Sequence, residues 1–320
     1  MVPIFALLPI LTHSWWGHAH MIIASIAETK LSAREVCAIE EAMYHGGFGF
    51  ESIVDVSTWQ DDVKDSNKVS IMGNWHFADQ PIIREPFTGK LPKPTYNVTS
   101  YLNSAWKSLS NPQTTDPWVW AFHLRSMIHF IGDIHTPHHN CALFSDIFRY
   151  GDYGGNSYKL NCPYGSACNN IHFFWDSVGL EFPIMYPRVP LLIDQFNENV
   201  SNIKTLYPTS HYPDISTYSP NEWSKESFLY ASKYGYDTPM DSFPNQTFFE
   251  LVRSKGKERV ALAGYRLFTF LKMLANQENI PASNARSSKT VLLWIVNMIL
   301  LLISIVFMVI RPQYNNYTQF

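Results

Sequence analysis

The chain has 320 residues, of which 15% are aromatic and 16% are charged. A chain of this length can bury a large core, and its composition is not that of a disordered protein. The net charge of −3 argues against a broad basic surface for nucleic acid. A polyanionic ligand would therefore need another source of positive charge, such as bound metal ions.

Both ends of the chain carry apolar segments that are not expected to belong to the globular domain. Residues 1–14 contain a short apolar run followed by polar residues, which is typical of a secretory signal peptide. Residues 291–310 are twenty residues without a charge, which is long enough to span a bilayer. A GPI-anchor signal is the alternative, but ten polar residues follow this segment. The predicted organisation is a signal peptide at 1–14, one domain at 15–280, a linker at 281–290, a membrane helix at 291–310 and a cytosolic tail at 311–320.

The sequons and cysteines agree with a secretory route, and the signal peptide together with the membrane helix predicts a single-pass type I protein of the cell surface or a secretory membrane. The glycosylation sequons are at Asn97, Asn199 and Asn245. Cys162 and Cys168 bracket a short loop and are predicted to pair, which would leave Cys37 and Cys141 for each other. Zinc ligation by cysteine is the alternative, although no Cys-x-x-Cys spacing occurs.

The first third of the chain reads as three helices and a loop. Residues 15–29 have an apolar helical face, and Ser32 with Glu35 forms a capping box for a second helix that ends near Met43. Residues 53–63 predict a third helix. Residues 75–79 are expected to be irregular, and the Pro- and Gly-containing residues 81–98 to form a loop.

A long central helix follows, with Asp116 as its N-cap, Pro117 in its first turn and an apolar run over residues 118–130. Further helices are predicted at 188–205, 221–236 and 247–276. No alternating strand pattern and no internal repeat stand out. The predicted fold class is mainly α, a single compact helical domain with a C-terminal transmembrane helix.

Two His-x-x-x-Asp pairs stand in apolar surroundings. His129 and Asp133 are four residues apart on the central helix and share a face, and His172 and Asp176 repeat this spacing. A single buried histidine is usually a satisfied core residue, but two imidazole–carboxylate pairs are costly to bury unless something binds them. A proline should end the central helix, so that His139 turns back toward the same site. These ligand types favour zinc.

Five short motifs follow one another between residues 15 and 275. They are Trp-x4-His (Trp15, His20), Trp-x-Asp (Trp59, Asp61), His-Phe-x-Asp (residues 76–79), His-Phe-Ile-Gly-Asp-x5-His (residues 129–139) and His-x3-Asp (His172, Asp176). In order and spacing they resemble the zinc-dependent class I nucleases of the phospholipase C/nuclease superfamily. That family includes fungal single-strand-specific nucleases, plant bifunctional nucleases and protozoan 3′-nucleotidase/nucleases.

The resemblance implies a helical domain of the phospholipase C/nuclease type that holds three zinc ions. The first ion would be held by Asp61, His76, His129 and Asp133. The second would be held by His139, His172 and Asp176, with His139 chosen over His138 on family spacing alone. The third would be held by Asp133 as a bridge, His20, and the free amino group and carbonyl of Trp15. That amino group exists only if the signal peptide is cut directly before Trp15.

The resemblance also implies the reaction and the substrate. A metal-bound hydroxide would attack the phosphorus of single-stranded RNA or DNA, and a zinc ion would stabilise the leaving 3′ oxygen. The products would be 5′-nucleotides, with 3′-nucleotidase activity on 3′-nucleotides. Asp133 and Lys64 would be catalytic, Lys64 would also contact the phosphate, and Phe77 and Asp79 would bind a base. The simpler interpretations are a solvated helix lysine for Lys64 and core packing for Phe77 and Asp79. No protein partner is evident, so a monomer is expected.

Two other functions fit the same residues. Zinc-dependent phospholipase C belongs to the same superfamily, but it ends the pattern with Glu where Asp176 stands. A membrane anchor would suit such an enzyme. A non-catalytic surface protein stabilised by zinc would need the same ligands and catalyse nothing.

Overall fold

A computed structural model describes residues 15–45, 47–49, 51–66, 69–162, 168–187, 193–278 and 280. They belong to one compact unit whose last residue is Ile280. The predicted signal peptide, linker, membrane helix and cytosolic tail lie outside these described residues. Among the helices within these ranges, none has the length and apolar character that crossing a membrane requires.

The described part of the chain is mainly helical, as predicted. Its helices are α1 (Gly17–Glu28), α2 (Ala33–His45), α3 (Ile53–Val56), α4 (Trp59–Ser66), α5 (Val98–Leu109), α6 (Pro117–Asp133), α7 (Ile171–Asp176), α8 (Ile193–Leu206), α9 (Pro220–Tyr230) and α10 (Gln246–Ala275). Short 3-10 turns cover Ser70–His76 and Pro137–His139, and a π turn covers Ala231–Gly235. Helix α1 packs along α10, and α6 packs against α2 and α5, so the central helix is enclosed by its neighbours.

Two predicted helix starts are confirmed by their capping hydrogen bonds. The backbone N–H of Ser32 donates to Glu35 Oε2 at 2.8 Å, and the Glu35 N–H donates to Ser32 Oγ at 3.3 Å. The Trp118 N–H donates to Asp116 Oδ1 at 2.8 Å, with Pro117 in the first turn of α6. Each side chain accepts from an N–H that has no intrahelical partner, which fixes where the helix begins.

The predicted helix over residues 53–63 is wrong in one respect, because a turn divides it into α3 and α4. At the turn, Ser57 Oγ donates to Val54 O at 2.6 Å and closes the end of α3. The Ser57 carbonyl is then available to a side chain from another element, and His129 Nδ1 lies 2.7 Å from it. The break in the helix therefore helps to position a predicted ligand.

Helix α5 and two short strands are not among the predicted elements. Helix α5 begins at the N-cap Asn97, whose Oδ1 accepts from the Ser100 N–H at 3.0 Å. The buried side chains of α5 follow a helical period at Val98, Tyr101, Leu102, Ala105 and Leu109.

Strands β1 (Gln80–Ile83) and β2 (Cys141–Phe144) form a parallel pair, with Gln80 opposite Cys141 and Ile83 opposite Phe144. Four residues are too few for an alternating pattern to stand out in a sequence. Because parallel strands start at the same edge, this pair brings the segment before β1 beside the segment before β2. The Ala78 N–H accordingly donates to His139 O at 2.7 Å.

One of the two predicted disulfides is present. Cys162 and Cys168 are joined, with their Cα atoms 5.6 Å apart. The predicted pairing of Cys37 with Cys141 is wrong, because Cys37 is exposed on α2 whereas Cys141 is buried at the start of β2. The sequons stay predictions: Asn97 and Asn245 are the N-caps of α5 and α10, and Asn199 lies on α8.

Candidate metal centre

Four side chains from three elements meet at the C-terminal half of α6, and we call them the Asp61 group. They are Asp61 from α4, His76 from the turn before β1, and His129 and Asp133 from α6. His76 Nδ1 lies 2.9 Å from Asp133 Oδ2 and 3.7 Å from Asp61 Oδ1. His129 Nε2 lies 3.3 Å from Asp133 Oδ2 and 3.7 Å from Asp61 Oδ1. The two ring nitrogens are 3.3 Å apart. Ligand atoms about 2.1 Å from a tetrahedral zinc ion are about 3.4 Å from one another, so this group fits one ion.

A second arrangement, the His20 group, shares residues with the first. His20 Nε2 lies 3.1 Å from Asp133 Oδ1, and the His20 ring stacks on that of His129 with centroids 4.0 Å apart. The ring can approach α6 this closely because residue 132 is glycine: a Cβ there would meet His20 Nδ1 at 2.7 Å. The two oxygens of Asp133 therefore face different groups, as a carboxylate that bridges two metal ions would.

The first described residues also lie at this centre. Trp15 is fully buried, and the backbone N–H of Trp16 donates to the Asp176 carbonyl at 3.1 Å. The start of the predicted domain is thereby fixed beside α7. Trp15 thus directly precedes a residue that is hydrogen-bonded to the backbone of the predicted ligand Asp176.

The third set, which we call the α7 group, consists of His139, His172 and Asp176. Their ligand atoms lie within 4.8 Å of one another, and His172 Nε2 is 3.1 Å from Asp176 Oδ2. The rings of His139 and His172 stack with centroids 5.1 Å apart. His138 is not part of this set, because both of its ring nitrogens face backbone carbonyls.

Backbone carbonyls orient three of the imidazoles. The Nδ1 atoms of His129, His139 and His172 each lie 2.7 Å from a carbonyl oxygen. Those oxygens belong to Ser57, His76 and Gly154, respectively. An imidazole that donates through Nδ1 keeps the lone pair of Nε2 for a metal ion.

These acceptors are not predictable from residue types, since every residue has a backbone carbonyl. One signal was present, the Gly154-Gly155 pair. Both residues adopt left-handed backbone conformations, with φ of 64° and 93°.

The charges of the cluster fit a bound cation. Burial raises the pKa of Asp176 well above its ordinary value, and the charges of Asp133 and Asp61 add to this effect. Among the described residues, none donates a hydrogen bond to either carboxylate oxygen of Asp176. Burial also lowers the pKa values of His20 and His76 to about 4, so these rings are neutral near pH 7. Burial lowers the pKa of His129, but the charges of Asp133 and Asp61 outweigh it and raise that pKa to about 9, and divalent metal ions would supply the same positive charge to these carboxylates.

Three further predicted residues lie close to these groups. Lys64 is buried, and its Nζ donates to Asp61 Oδ1 at 2.8 Å, so it is not a solvated helix lysine. Phe77 and Asp79 are partly buried and flank Ala78, which is hydrogen-bonded to His139. Burial and the charge of Asp152 raise the pKa of Asp79 to about 7.

The turn between α6 and His139 is held by side chains from α9 and α10. Ser227 Oγ donates to Ile134 O at 2.6 Å, and Arg259 Nε donates to His135 O at 3.1 Å. Arg266 Nη1 donates to His135 Nε2 at 2.9 Å. The ring of His135 therefore faces Arg266 and lies outside the three metal groups, while the turn keeps a fixed distance from α6 to His139.

Comparison with known proteins identifies the family of this chain. Residues 15–276 match the S1/P1 nuclease family. Endonuclease 4 of Arabidopsis thaliana is 26% identical over 286 residues, which cover 81% of this chain and 89% of the relative. Endonuclease 3 of the same plant is 25% identical over 232 residues, covering 69% and 75%. Nuclease S1 of Aspergillus oryzae is 22% identical over 290 residues, covering 83% and 94%. The chain therefore belongs to the S1/P1 nuclease family, the resemblance that its five motifs predicted.

Proposed function

We propose that this protein is a trinuclear zinc nuclease that hydrolyses single-stranded RNA and DNA to 5′-nucleotides and also acts as a 3′-nucleotidase. Membership of the S1/P1 family supports a hydrolase of nucleic acid phosphoester bonds. The observation that carries the finer proposal is the sharing of Asp133 by two groups of ligand atoms, with the α7 group beside them. The proposed ligands are Trp15, His20, Asp61, His76, His129, Asp133, His139, His172 and Asp176.

The ligand set also explains how a slightly acidic protein could bind a polyanion. Three zinc ions would bring six positive charges, of which the three aspartates would cancel about half. The Lys64 ammonium adds one charge, held 2.8 Å from Asp61. Positive charge would therefore be concentrated at the centre rather than spread over the surface.

Within the proposed reaction, each residue has a distinct role. Bound zinc would supply Lewis acidity and lower the pKa of water to about 7. Asp133 would be a ligand in both the Asp61 group and the His20 group, and Lys64 would contact a non-bridging phosphate oxygen. The bond that breaks joins phosphorus to the 3′ oxygen, which takes up a proton. The oxygen of water is added to phosphorus, so the phosphate stays on the 5′ side of the released nucleotide.

Phe77 and Asp79 support a preference for single strands. An aromatic ring can stack only on a base that is unpaired and splayed from its neighbours. Asp79 lies two residues further on, in a left-handed conformation with φ of 46°. Because its pKa is near 7, its carboxyl group can accept or donate a hydrogen bond to a base edge near neutral pH.

We also propose that export activates the enzyme. The third ion would need the free amino group of Trp15, which forms only when the signal peptide is cut after Ser14. The hydrogen bond from Trp16 to Asp176 supports this role, since it fixes the start of the domain at the centre. The catalytic domain would then lie outside the cytosol, anchored by residues 291–310.

Hydrolysis of defined substrates tests the proposal. The purified, zinc-loaded protein should cleave single-stranded RNA and DNA faster than a duplex and release phosphate from a 3′-nucleotide. A chelator should abolish both reactions and added zinc should restore them. Cleavage of phosphatidylcholine without cleavage of single strands would identify a phospholipase C instead. A zinc-loaded protein that hydrolyses none of these substrates would indicate a non-catalytic role.

A further inference from the structure

We propose that His138 is a positioning residue for the α7 group, and that it acts through two backbone carbonyls that also bind side chains of α7. The inference rests on the proposed function, because it assumes that His139, His172 and Asp176 hold a zinc ion. It adds a histidine whose two ring nitrogens face backbone carbonyls.

The side chain of His138 is fully buried between two loops. Its Nδ1 lies 2.9 Å from Gly154 O, in the glycine-rich loop that precedes α7. Its Nε2 lies 3.1 Å from Gly235 O, at the end of the π turn that follows α9. The next residue, His139, belongs to the α7 group. Of these two neighbouring histidines, His139 belongs to the metal group and His138 contacts the backbone of the two loops.

Each of the two carbonyls also accepts a hydrogen bond from α7. Gly154 O lies 2.7 Å from Nδ1 of the ligand His172. Gly235 O accepts from Trp175 Nε1 at 3.2 Å, and Trp175 directly precedes the ligand Asp176. The candidate ligand His172 is therefore linked directly to a carbonyl that His138 contacts, and Asp176 is linked to the other carbonyl through its neighbour Trp175.

Glycines leave the space that the His138 ring fills. A Cβ at residue 155 would lie 2.8 Å from His138 Nδ1, and a Cβ at Gly235 would lie 3.2 Å from Nε2. The Tyr236 ring closes another side, with ring centroids 4.9 Å apart. The orientation of the imidazole is therefore fixed by packing as well as by its hydrogen bond.

Loss of the His138 imidazole should lower the zinc affinity of the α7 group. The neutral ring of His138 donates a hydrogen bond to one of the two carbonyls and fills the space beside the other carbonyl. Leucine at this position therefore removes the hydrogen-bond donor of one buried carbonyl oxygen. The carbonyl can then move, and with it the imidazole or indole that it holds. Outer-shell partners of this kind change metal affinity by about 10- to 100-fold.

Zinc release from the full-length, exported protein tests the inference. Bound zinc is measured while a chelator is titrated in, and a His172→Ala variant identifies the step that belongs to the α7 group. In His138→Leu, that step should move to a roughly tenfold lower chelator concentration, at the lower end of the range for outer-shell partners. The release steps of the other two ions should stay at the same chelator concentration, even if the melting temperature of the metal-free protein changes. A purely structural residue would change that melting temperature without singling out one step.

Two further variants keep the test decisive. In Gly235→Ala the added methyl group crowds the His138 imidazole, which itself is kept. This variant should therefore shift the same step in the same direction, but by less than His138→Leu does. His123→Leu is the matched control, because this partly buried histidine of α6 contacts Tyr101 and no candidate metal group, so all three steps should be unchanged.

Unchanged release of all three ions from folded His138→Leu would overturn the inference. If that variant does not fold, unchanged release from Gly235→Ala would overturn it. A wild-type protein that binds no zinc would defeat the proposed function itself, which is a different result.

Discussion

Replacing Asp133 with asparagine should remove two of the three proposed metal ions while leaving the third. The Asp133 carboxylate lies 2.9 to 3.3 Å from ring nitrogens of His76, His20 and His129. An amide has the same size, but it carries no charge and presents an N–H group where one oxygen stood. It can no longer bridge two cations. The α7 group does not include Asp133, so zinc content should fall from three ions to one.

The expected loss of activity is at least about 10³-fold, or about 4 kcal/mol at 1.36 kcal/mol per factor of ten. It follows because water at the damaged site would no longer have its pKa lowered from about 15.7 toward 7. Metal analysis and single-stranded DNA hydrolysis measure the two effects together. Asp62→Asn is the matched control, since Asp62 is the exposed neighbour of Asp61 on α4. Three bound ions and more than a tenth of wild-type activity in Asp133→Asn would refute the bridging role.

Four other predictions follow from the same geometry. One extra residue before Trp15 should cost one zinc ion and most of the activity, whereas equal activity and metal content would rule out the amine ligand. Lys64→Gln should lower kcat by about 10²- to 10³-fold with zinc content unchanged, and Lys64→Arg should retain more activity; a zinc-loaded Gln variant with normal kcat would contradict contact with the phosphate. Phe77→Ala should raise KM for single strands by roughly 5- to 150-fold, because base stacking contributes about 1–3 kcal/mol, and an unchanged KM would favour simple packing. Glu226→Gln should lower the stability of the metal-free protein at pH 7 by about 1–2 kcal/mol, since it takes the counter-charge from the buried Arg266 while Glu226 itself is partly exposed.

The pH dependence of the Glu226 effect has a definite sign. Burial tends to raise the pKa of Glu226, but hydrogen bonds and charges from Arg266 and Arg259 outweigh it, so the pKa is lowered. A lowered carboxyl pKa gives stability that is present above the ordinary value and lost as pH falls through the folded-state pKa. The difference between wild type and Glu226→Gln in thermal unfolding should therefore shrink below about pH 4. A difference that grows at low pH would contradict the ion pair.

Residue types and spacing were enough to predict the class of fold and the residues that meet at the centre. Helix α6 could be predicted because its cap, its proline and its apolar run all agree. The four-residue interval between His129 and Asp133 then put both side chains on one face. The same interval in α7 pointed to His172 and Asp176.

Features that depend on backbone atoms or on very short elements could not be predicted in this way. The parallel pair of β1 and β2 brings residue 78 against His139, but neither strand is long enough to show a period. The carbonyls of Ser57 and Gly154 orient ligand imidazoles, and any residue type can supply a carbonyl. Residue type does not distinguish His138 from His139: only the spacing of the family's motif favours His139 as the ligand, and the carbonyls that His138 faces could not be predicted.

Metal analysis of the exported, full-length protein tests the central claim most directly. Mass spectrometry under native conditions should find three zinc ions per chain, with nuclease activity that is lost and regained as these ions are removed and returned. A protein that cleaves single-stranded nucleic acid at full rate with fewer than three ions would contradict the account of the site.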